Sequence, residues 1–126
     1  MKEVINTVNA PQPIGPYSQA VASDNMLFVS GQIAIHPRNG VLSTDNIEDE
    51  TSRVMENIKA ILQEASLDFA NVVKCSIFVK DMANFSRINE VYGKYFTTLP
   101  PARETVEVSG LPKDVNVEIS CIATMN

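Results

Sequence analysis

The sequence has few of the residues that build common catalytic and metal sites. Its 126 residues include one histidine, His36, and two cysteines, Cys75 and Cys121. Because His36 stands alone and precedes a proline in a turn-like segment, neither a His-based dyad nor a multi-histidine metal site is expected. The cysteines lie far apart without CxxC spacing, each inside an alternating apolar segment. That setting favours buried free thiols over a disulfide or a zinc site.

Positive charge and long apolar runs are also scarce. Ten Lys and Arg against fifteen Asp and Glu give a net charge of −5, and no run of basic residues stands out. Binding to nucleic acid is therefore disfavoured. The longest apolar stretches, such as Ser76–Val79, are far shorter than the ~20 residues that span a bilayer. With no signal-peptide pattern at the start, we expect a cytoplasmic protein that does not enter membranes.

The length and an ordinary composition predict a single domain over residues 1–126. The proline-rich first seventeen residues are predicted to form an extended entry segment. Alternating patterns then predict strands at Ser18–Ala22 and Met26–Ser30, joined by a short polar turn. A third strand is predicted through Ile33 and Ile35, ending at an Asn-Gly turn. The first third of the chain is thus interpreted as a β meander.

The period then changes to that of an amphipathic helix, from Ile47 to Ala65. Asp45 and Glu48 resemble a capping box, and the acidic residues 48–50 suit the positive end of the helix dipole. A strand with one buried face follows, with its apolar row at positions 73, 75, 77 and 79. A second helix carries an apolar stripe from Phe85 to Phe96. Gly93 inside it predicts a close packing contact.

The last two strands are predicted at Arg103–Val108 and Val115–Ala123. The order β, β, β, α, β, α, β, β predicts an α+β fold, a two-layer sandwich in which two helices cover one face of a mixed sheet. If these strands form an antiparallel hairpin with a symmetric loop, Arg103 lies directly opposite Glu118 on the face away from the helices. Two interpretations remain open at this point: an exposed ion pair without function, or a site in which arginine binds a carboxylate.

Four segments, in this order and spacing, resemble the RidA/YjgF family of reactive-intermediate enamine/imine deaminases. They are GPYSQA at Gly15, SGQI at Ser30, FVKDM at Phe78 and PPARETVEVSGLPKDVNVEI from Pro100 to Ile119. The similarity runs from about Asn9 to Ala123. It implies a chorismate-mutase-like α+β fold and a homotrimer with sites between subunits.

The resemblance also implies an activity. Members of this family hydrolyse 2-iminopropanoate and 2-iminobutanoate, released by pyridoxal-phosphate enzymes such as threonine dehydratase, to the 2-oxo acid and ammonia. An imine carbon is already electrophilic, so a held carboxylate, a positioned water and a proton route suffice, and no cofactor is expected.

Each site role is assigned by this resemblance. Arg103 would grip the substrate carboxylate and Glu118 would position the attacking water. The remaining substrate-binding positions are Tyr17, Ser30, Gly31, Asn89 and Thr105. Thr105 stands where the family often has cysteine, which puts thiol chemistry at that position in doubt. Without the family resemblance, these positions have ordinary structural interpretations. Tyr17 could be a surface aromatic, Ser30-Gly31 a strand bend and Asn89 a solvated helix residue.

Two other function classes remain open. Some members of the family are described as endoribonucleases or translation inhibitors, although the negative charge and the lack of a histidine pair weigh against phosphodiester cleavage here. A non-catalytic carboxylate-binding or chaperone-like trimer is the other, and the presence of Arg103 weighs against it.

Overall fold

The computed structural model describes all residues from 1 to 126, and it has one six-stranded mixed sheet covered on one face by two helices. The sheet order is β1-β2-β3-β6-β4-β5. The strands are β1 (Glu3–Ile5), β2 (Ala20–Ser23), β3 (Met26–Gln32), β4 (Val72–Val79), β5 (Ala102–Glu107) and β6 (Val117–Thr124), and the helices are α1 (Ile47–Glu64) and α2 (Phe85–Gly93). The predicted two-layer α+β class is confirmed. No helix combines the length and apolar character that crossing a membrane requires.

The meander is present, but its strands differ from the prediction. Strand β1 forms within the first seventeen residues, which were predicted to be an extended entry segment, and it pairs with β2. Strands β2 and β3 form the expected hairpin. Asp24 and Asn25 make its turn with φ of 50° and 64°, a conformation that Asp and Asn tolerate better than most residues. The predicted third strand is wrong, because Ile35 makes only an isolated bridge to Leu42. The meander's third strand is instead β3, which extends to Gln32.

Helix α1 begins one residue later than its capping pattern suggested. Asn46 is the cap, and its side-chain oxygen accepts a hydrogen bond from the Asp49 amide at 2.8 Å. The predicted pairing of Asp45 with Glu48 is therefore wrong. Glu48 instead accepts two hydrogen bonds from the Arg87 guanidinium, which tie α1 to α2.

The central strands supply the core beneath the helices. In β4, side chains at 75, 77 and 79 are buried and those at 74, 76 and 78 lie on the other face. The row does not extend to Val73, which is exposed, because the register with β6 shifts between Val72 and Lys74. Cys75 and Cys121 are buried free thiols, as predicted, and lie opposite each other in the β4–β6 pair.

The predicted hairpin between the last two strands is wrong. Strand β6 lies between β3 and β4, whereas β5 is an edge strand that pairs in parallel with β4. The loop between β5 and β6 therefore carries the chain across β4, and Arg103 does not lie opposite Glu118.

Gly93 also departs from its prediction. It ends α2, it is exposed, and a Cβ built on it would meet nothing within 4 Å. Its place at the helix end, and not a close packing contact, explains why a poor helix former is tolerated there.

Candidate functional site

A cleft of about 350 Å³ opens beside the end of β3, and we call it the Glu118 cleft. It brings together four of the predicted site residues from distant parts of the sequence. Its lining residues are Pro11, Gln12, Ile14, Tyr17, Gln19, Ser30, Gly31, Gln32, Ile33, Ile35, Pro112 and Glu118.

A β-bulge shapes the centre of this cleft. The register between β3 and β6 shifts between Val29 and Gln32, so Ser30 and Gly31 lie in the irregular part of the strand. The Ser30 hydroxyl donates to the Ser18 carbonyl oxygen at 2.6 Å, and the Ser30 amide donates to the Gln19 carbonyl oxygen at 2.9 Å. These bonds hold the bulge against the segment that precedes β2.

Gly31 leaves the space that the Glu118 carboxyl group occupies. A Cβ at position 31 would lie 2.6 Å from Oε2 of Glu118 and 2.9 Å from its Cδ. Distances this short are not sustained, so any side chain at this position would push the carboxyl group away. Glycine is therefore required at position 31, because the Glu118 carboxyl group lies where a Cβ would be.

Glu118 itself is half-buried, and no hydrogen bond or salt bridge joins its carboxyl group to another residue of the chain. Burial raises the pKa of Glu118 above the ordinary glutamate value because the charged form loses solvation. A carboxylate with a raised pKa accepts protons more readily near neutral pH, as a general base must.

A second glutamate fixes the strand that carries Glu118. Glu50 of α1 is fully buried and accepts hydrogen bonds from the Asn116 amide and side chain, both at 2.7 Å, and from the Val117 amide at 3.2 Å. The sequence placed Glu50 among residues that suit the helix dipole, and its role as an anchor for β6 was missed. The missed signal is its place on the apolar stripe of α1, four residues before Val54.

Gln19 was also missed, and it organises the wall of the cleft. Its side chain is buried; Oε1 accepts from the Thr7 amide at 2.7 Å, and Nε2 donates to the Thr7, Ala10 and Pro11 carbonyl oxygens. These bonds hold the proline-rich segment against β2. Tyr17 lies at the open side, about half exposed, with its hydroxyl 3.4 Å from the donating Ile14 amide.

Arg103 lies away from this cleft, on the helix-covered face of the sheet. It pairs with Cys75, whose side chain points to the core, and its Nη1 donates to the Asn89 side-chain oxygen in α2. Its guanidinium carbon is 5.6 Å from the Phe85 ring centroid and 5.2 Å from that of Tyr92. The prediction that Arg103 faces away from the helices is wrong, because the row of alternate residues from Arg103 turns toward α2.

One face of α2 therefore holds the guanidinium. Phe85, Asn89 and Tyr92 have the i, i+4, i+7 spacing that aligns side chains on one side of a helix, a pattern visible in the sequence. Arg103 has no carboxylate partner in the chain, and cation–π contacts leave its charge uncompensated. Thr105, two residues along β5, has a buried hydroxyl without a hydrogen-bond partner.

The predicted residues thus form two groups within one chain. Tyr17, Ser30, Gly31 and Glu118 line the cleft. In the second group, Asn89 of α2 binds Arg103, and Thr105 lies on the same face of β5 as Arg103. The first group can orient a water molecule and accept its proton, and the second can bind a carboxylate.

Comparisons with known proteins show similarity to one family along almost the whole chain. The model of the family described as Endoribonuclease L-PSP matches residues 7–125. A RutC family protein from Pyrococcus horikoshii is 54% identical over 123 residues, which cover 98% of either chain. A protein of Arabidopsis thaliana named Reactive Intermediate Deaminase A, chloroplastic, is 42% identical over 124 residues, which cover 98% of this chain and 66% of the plant protein.

A solved structure is similar over almost the whole chain. The crystal structure of E. coli TdcF with bound serine has a TM-score of 0.94 and 38% sequence identity, covering 98% of this chain and 99% of that one. The similarity spans both the cleft-forming meander and the helix that holds Arg103.

Proposed function

This chain belongs to the Endoribonuclease L-PSP family, which is the RidA/YjgF family, and from that membership we propose that it is an imine deaminase. Its substrates are small 2-imino acids, 2-iminobutanoate and 2-iminopropanoate, which it hydrolyses to 2-oxo acids and ammonia. The observation that carries the proposal is the pair of unpartnered groups: a guanidinium without a carboxylate and a half-buried carboxyl group without a cation.

The names of the relatives support this chemistry. The plant relative is named as a reactive-intermediate deaminase, and TdcF was crystallised with serine. Serine carries a carboxylate next to a carbon that bears nitrogen, as a 2-imino acid does. In the proposal, Arg103 binds the carboxylate that the two kinds of molecule share.

The proposed reaction uses the two groups in sequence. Arg103 binds the substrate carboxylate with two parallel N–H groups, which places the imine carbon. The imine reacts as its iminium ion, whose nitrogen has taken one proton from solvent. Water adds to the imine carbon while Glu118 accepts one of the water protons, which gives a neutral tetrahedral aminoalcohol. Protonated Glu118 then donates this proton to the nitrogen, and the C–N bond breaks as ammonia leaves. The hydroxyl proton passes to solvent water, which gives the 2-oxo acid and leaves Glu118 ionised.

We propose that the site is completed between two chains of a homotrimer. Arg103 and Glu118 lie on opposite faces of one sheet, so one chain does not offer both to a small molecule. The face of the sheet away from the helices also carries exposed apolar side chains on several strands, among them Val4, Phe28 and Val106. Such a face is stabilised when a second copy covers it. Light scattering at micromolar concentration is expected to give a trimer, and a monomer would contradict the shared site.

The activity is tested by following imine lifetime. Threonine dehydratase and threonine generate the imine in the assay mixture. The absorbance of the imine is expected to disappear faster when this protein is added. Arg103→Ala is expected to abolish the effect and Arg103→Lys to restore little, because an ammonium does not reproduce the planar two-point grip.

Arg87→Ala is the matched control, because it removes an arginine that contacts α1 and not the site. The proposal fails if Arg103→Ala trimers remain fully active, or if wild-type protein does not shorten the imine lifetime.

The two alternative functions make different predictions. A ribonuclease would cleave RNA under the same conditions, yet the only histidine lies outside the Glu118 cleft. A non-catalytic carboxylate-binding trimer would bind 2-oxo acids through Arg103 without changing imine lifetime.

A further inference from the structure

A second cleft, also of about 350 Å³, lies between the loop that follows Ile35 and helix α1. We call it the basic cleft. Its lining residues are Val8, Asn9, His36, Pro37, Arg38 and Arg53. It shares no residue with the Glu118 cleft. Two arginines and the only histidine of the chain meet there, and no acidic side chain lines it, although the protein carries a net charge of −5.

The Arg53 guanidinium is held in place by a neutral side chain and not by an acidic one. Its Nε and Nη2 donate to the Asn57 side-chain oxygen at 3.2 Å and 2.9 Å. Asn57 is fully buried, and its Nδ2 donates to the Ile33 and Ile35 carbonyl oxygens at 3.1 Å and 3.0 Å. The guanidinium is therefore oriented by a neutral amide, and its charge has no partner in the chain.

The loop on the other side of the basic cleft is a closed turn. The His36 amide donates to the Val41 carbonyl oxygen at 2.9 Å, and the Gly40 amide donates to the His36 carbonyl oxygen at 3.0 Å. Nδ1 of His36 accepts from the Arg38 amide at 3.2 Å. Because Nδ1 is an acceptor, the hydrogen-bond pattern assigns the ring proton to Nε2, which remains available as a donor.

We propose that the basic cleft binds a small metabolite through a phosphate monoester group. One guanidinium can bind both oxygens of a carboxylate through two N–H groups. A phosphate monoester dianion has three terminal oxygens and two charges, and so requires more donors. Two guanidiniums and an imidazole N–H line the basic cleft, which is a sufficient number of donors for three oxygens. Two of the three groups are oriented by bonds to the fold, which lowers the entropic cost of binding.

Titration with inorganic phosphate tests the proposal. Calorimetry at constant ionic strength, with chloride replaced by phosphate, is expected to show saturable binding to the wild-type protein. Arg38→Gln and Arg53→Gln are each expected to weaken it about tenfold, because each removes one charged donor pair. Arg38 is exposed on the loop, so its replacement leaves the core intact.

Arg87→Gln is the matched control, since it removes the same charge outside the basic cleft and is expected to bind phosphate as the wild type does. The proposal is overturned if phosphate shows no saturable binding beyond chloride, or if both cleft variants bind it unchanged. An equal loss in Arg87→Gln would also overturn it, because net charge alone would then explain binding. An RNA oligonucleotide without terminal phosphates that displaced phosphate at much lower concentration would assign the cleft to nucleic acid instead.

Discussion

Arg103 and Glu118 lie on opposite faces of the same sheet, with strand β4 between their own strands. Arg103 aligns with Cys75, which faces the helices, and Glu118 aligns with Phe78, which faces away from them. An ion pair between the two side chains within one chain is thereby excluded. It follows that the proposed site requires Arg103 of one chain and Glu118 of another.

The absence of a side chain at Gly31 is predicted to be necessary for turnover, because it leaves room for the Glu118 carboxyl group. Gly31→Ala places a methyl group where the carboxyl group lies, and the flexible glutamate side chain moves while the backbone stays. We expect a folded trimer whose turnover falls about a hundredfold, because a displaced base no longer reaches the water. Imine lifetime measurements and thermal melting check the two expectations separately.

Gly110→Ala is the matched control, because a Cβ at that glycine meets nothing within 4 Å and its φ is not in the left-handed region. It is expected to leave turnover unchanged. Wild-type turnover in Gly31→Ala would show that the position of the Glu118 carboxyl group is unimportant.

The aromatic contact of Arg103 is predicted to affect substrate binding more than turnover. Phe85→Leu keeps an apolar side chain but removes the ring that faces the guanidinium. A cation–π contact at a partly exposed site contributes about 0.5–1 kcal/mol, so KM is expected to rise about two- to fivefold. Phe85→Tyr retains the ring and serves as the control. A fall in kcat at constant KM in Phe85→Leu would contradict this role.

The pH dependence of turnover is predicted to follow Glu118. Only the ionised carboxylate accepts a proton, so kcat/KM is expected to rise with pH as Glu118 loses its proton. Because burial raises the pKa of Glu118, that rise is expected above the ordinary glutamate value of about 4.3. Glu118→Gln is expected to lose about 10²- to 10⁴-fold in rate and to lack this rise. Unchanged turnover in Glu118→Gln would show that Glu118 is not the general base.

Thr105→Cys, which introduces the residue common at this position in the family, is predicted to change turnover less than about tenfold. No chemical step is assigned to the Thr105 side chain, and its buried hydroxyl makes no hydrogen bond. Replacing an unpartnered hydroxyl by a thiol is also expected to raise the melting temperature. A large gain in turnover would show that a thiol takes part in the reaction.

The sequence predicted local elements better than their arrangement. Helix α1, the β2–β3 turn and the buried faces of β4 and β6 follow from periodicity, which is a local property. The position of β6 between β3 and β4 is set by long-range packing, and for that reason the Arg103–Glu118 pairing was predicted wrongly. Strand β1 was missed because three residues next to a proline-rich segment carry too little pattern.

The candidate site was predictable mainly through family resemblance. Motifs located Tyr17, Ser30, Gly31 and Glu118, which the fold brings to one cleft. Residue types alone did not indicate Gln19, since a polar side chain that bonds to backbone far along the chain leaves no periodic signal. Glu50 does lie on the apolar stripe of α1, and its burial could have been predicted from that position. The trimer, the cytoplasmic location and the roles of the site residues stay predictions.

Complementation between two inactive variants tests the shared site most directly. Arg103→Ala and Glu118→Gln chains are refolded together in equal amounts, and imine hydrolysis is compared with that of either variant alone. If each site takes Arg103 from one chain and Glu118 from its neighbour, about one site in four combines both wild-type residues by random assembly. The account predicts about a quarter of wild-type activity in the mixture and almost none in the separate variants. A mixture of trimers as inactive as its components would contradict a site built by two chains.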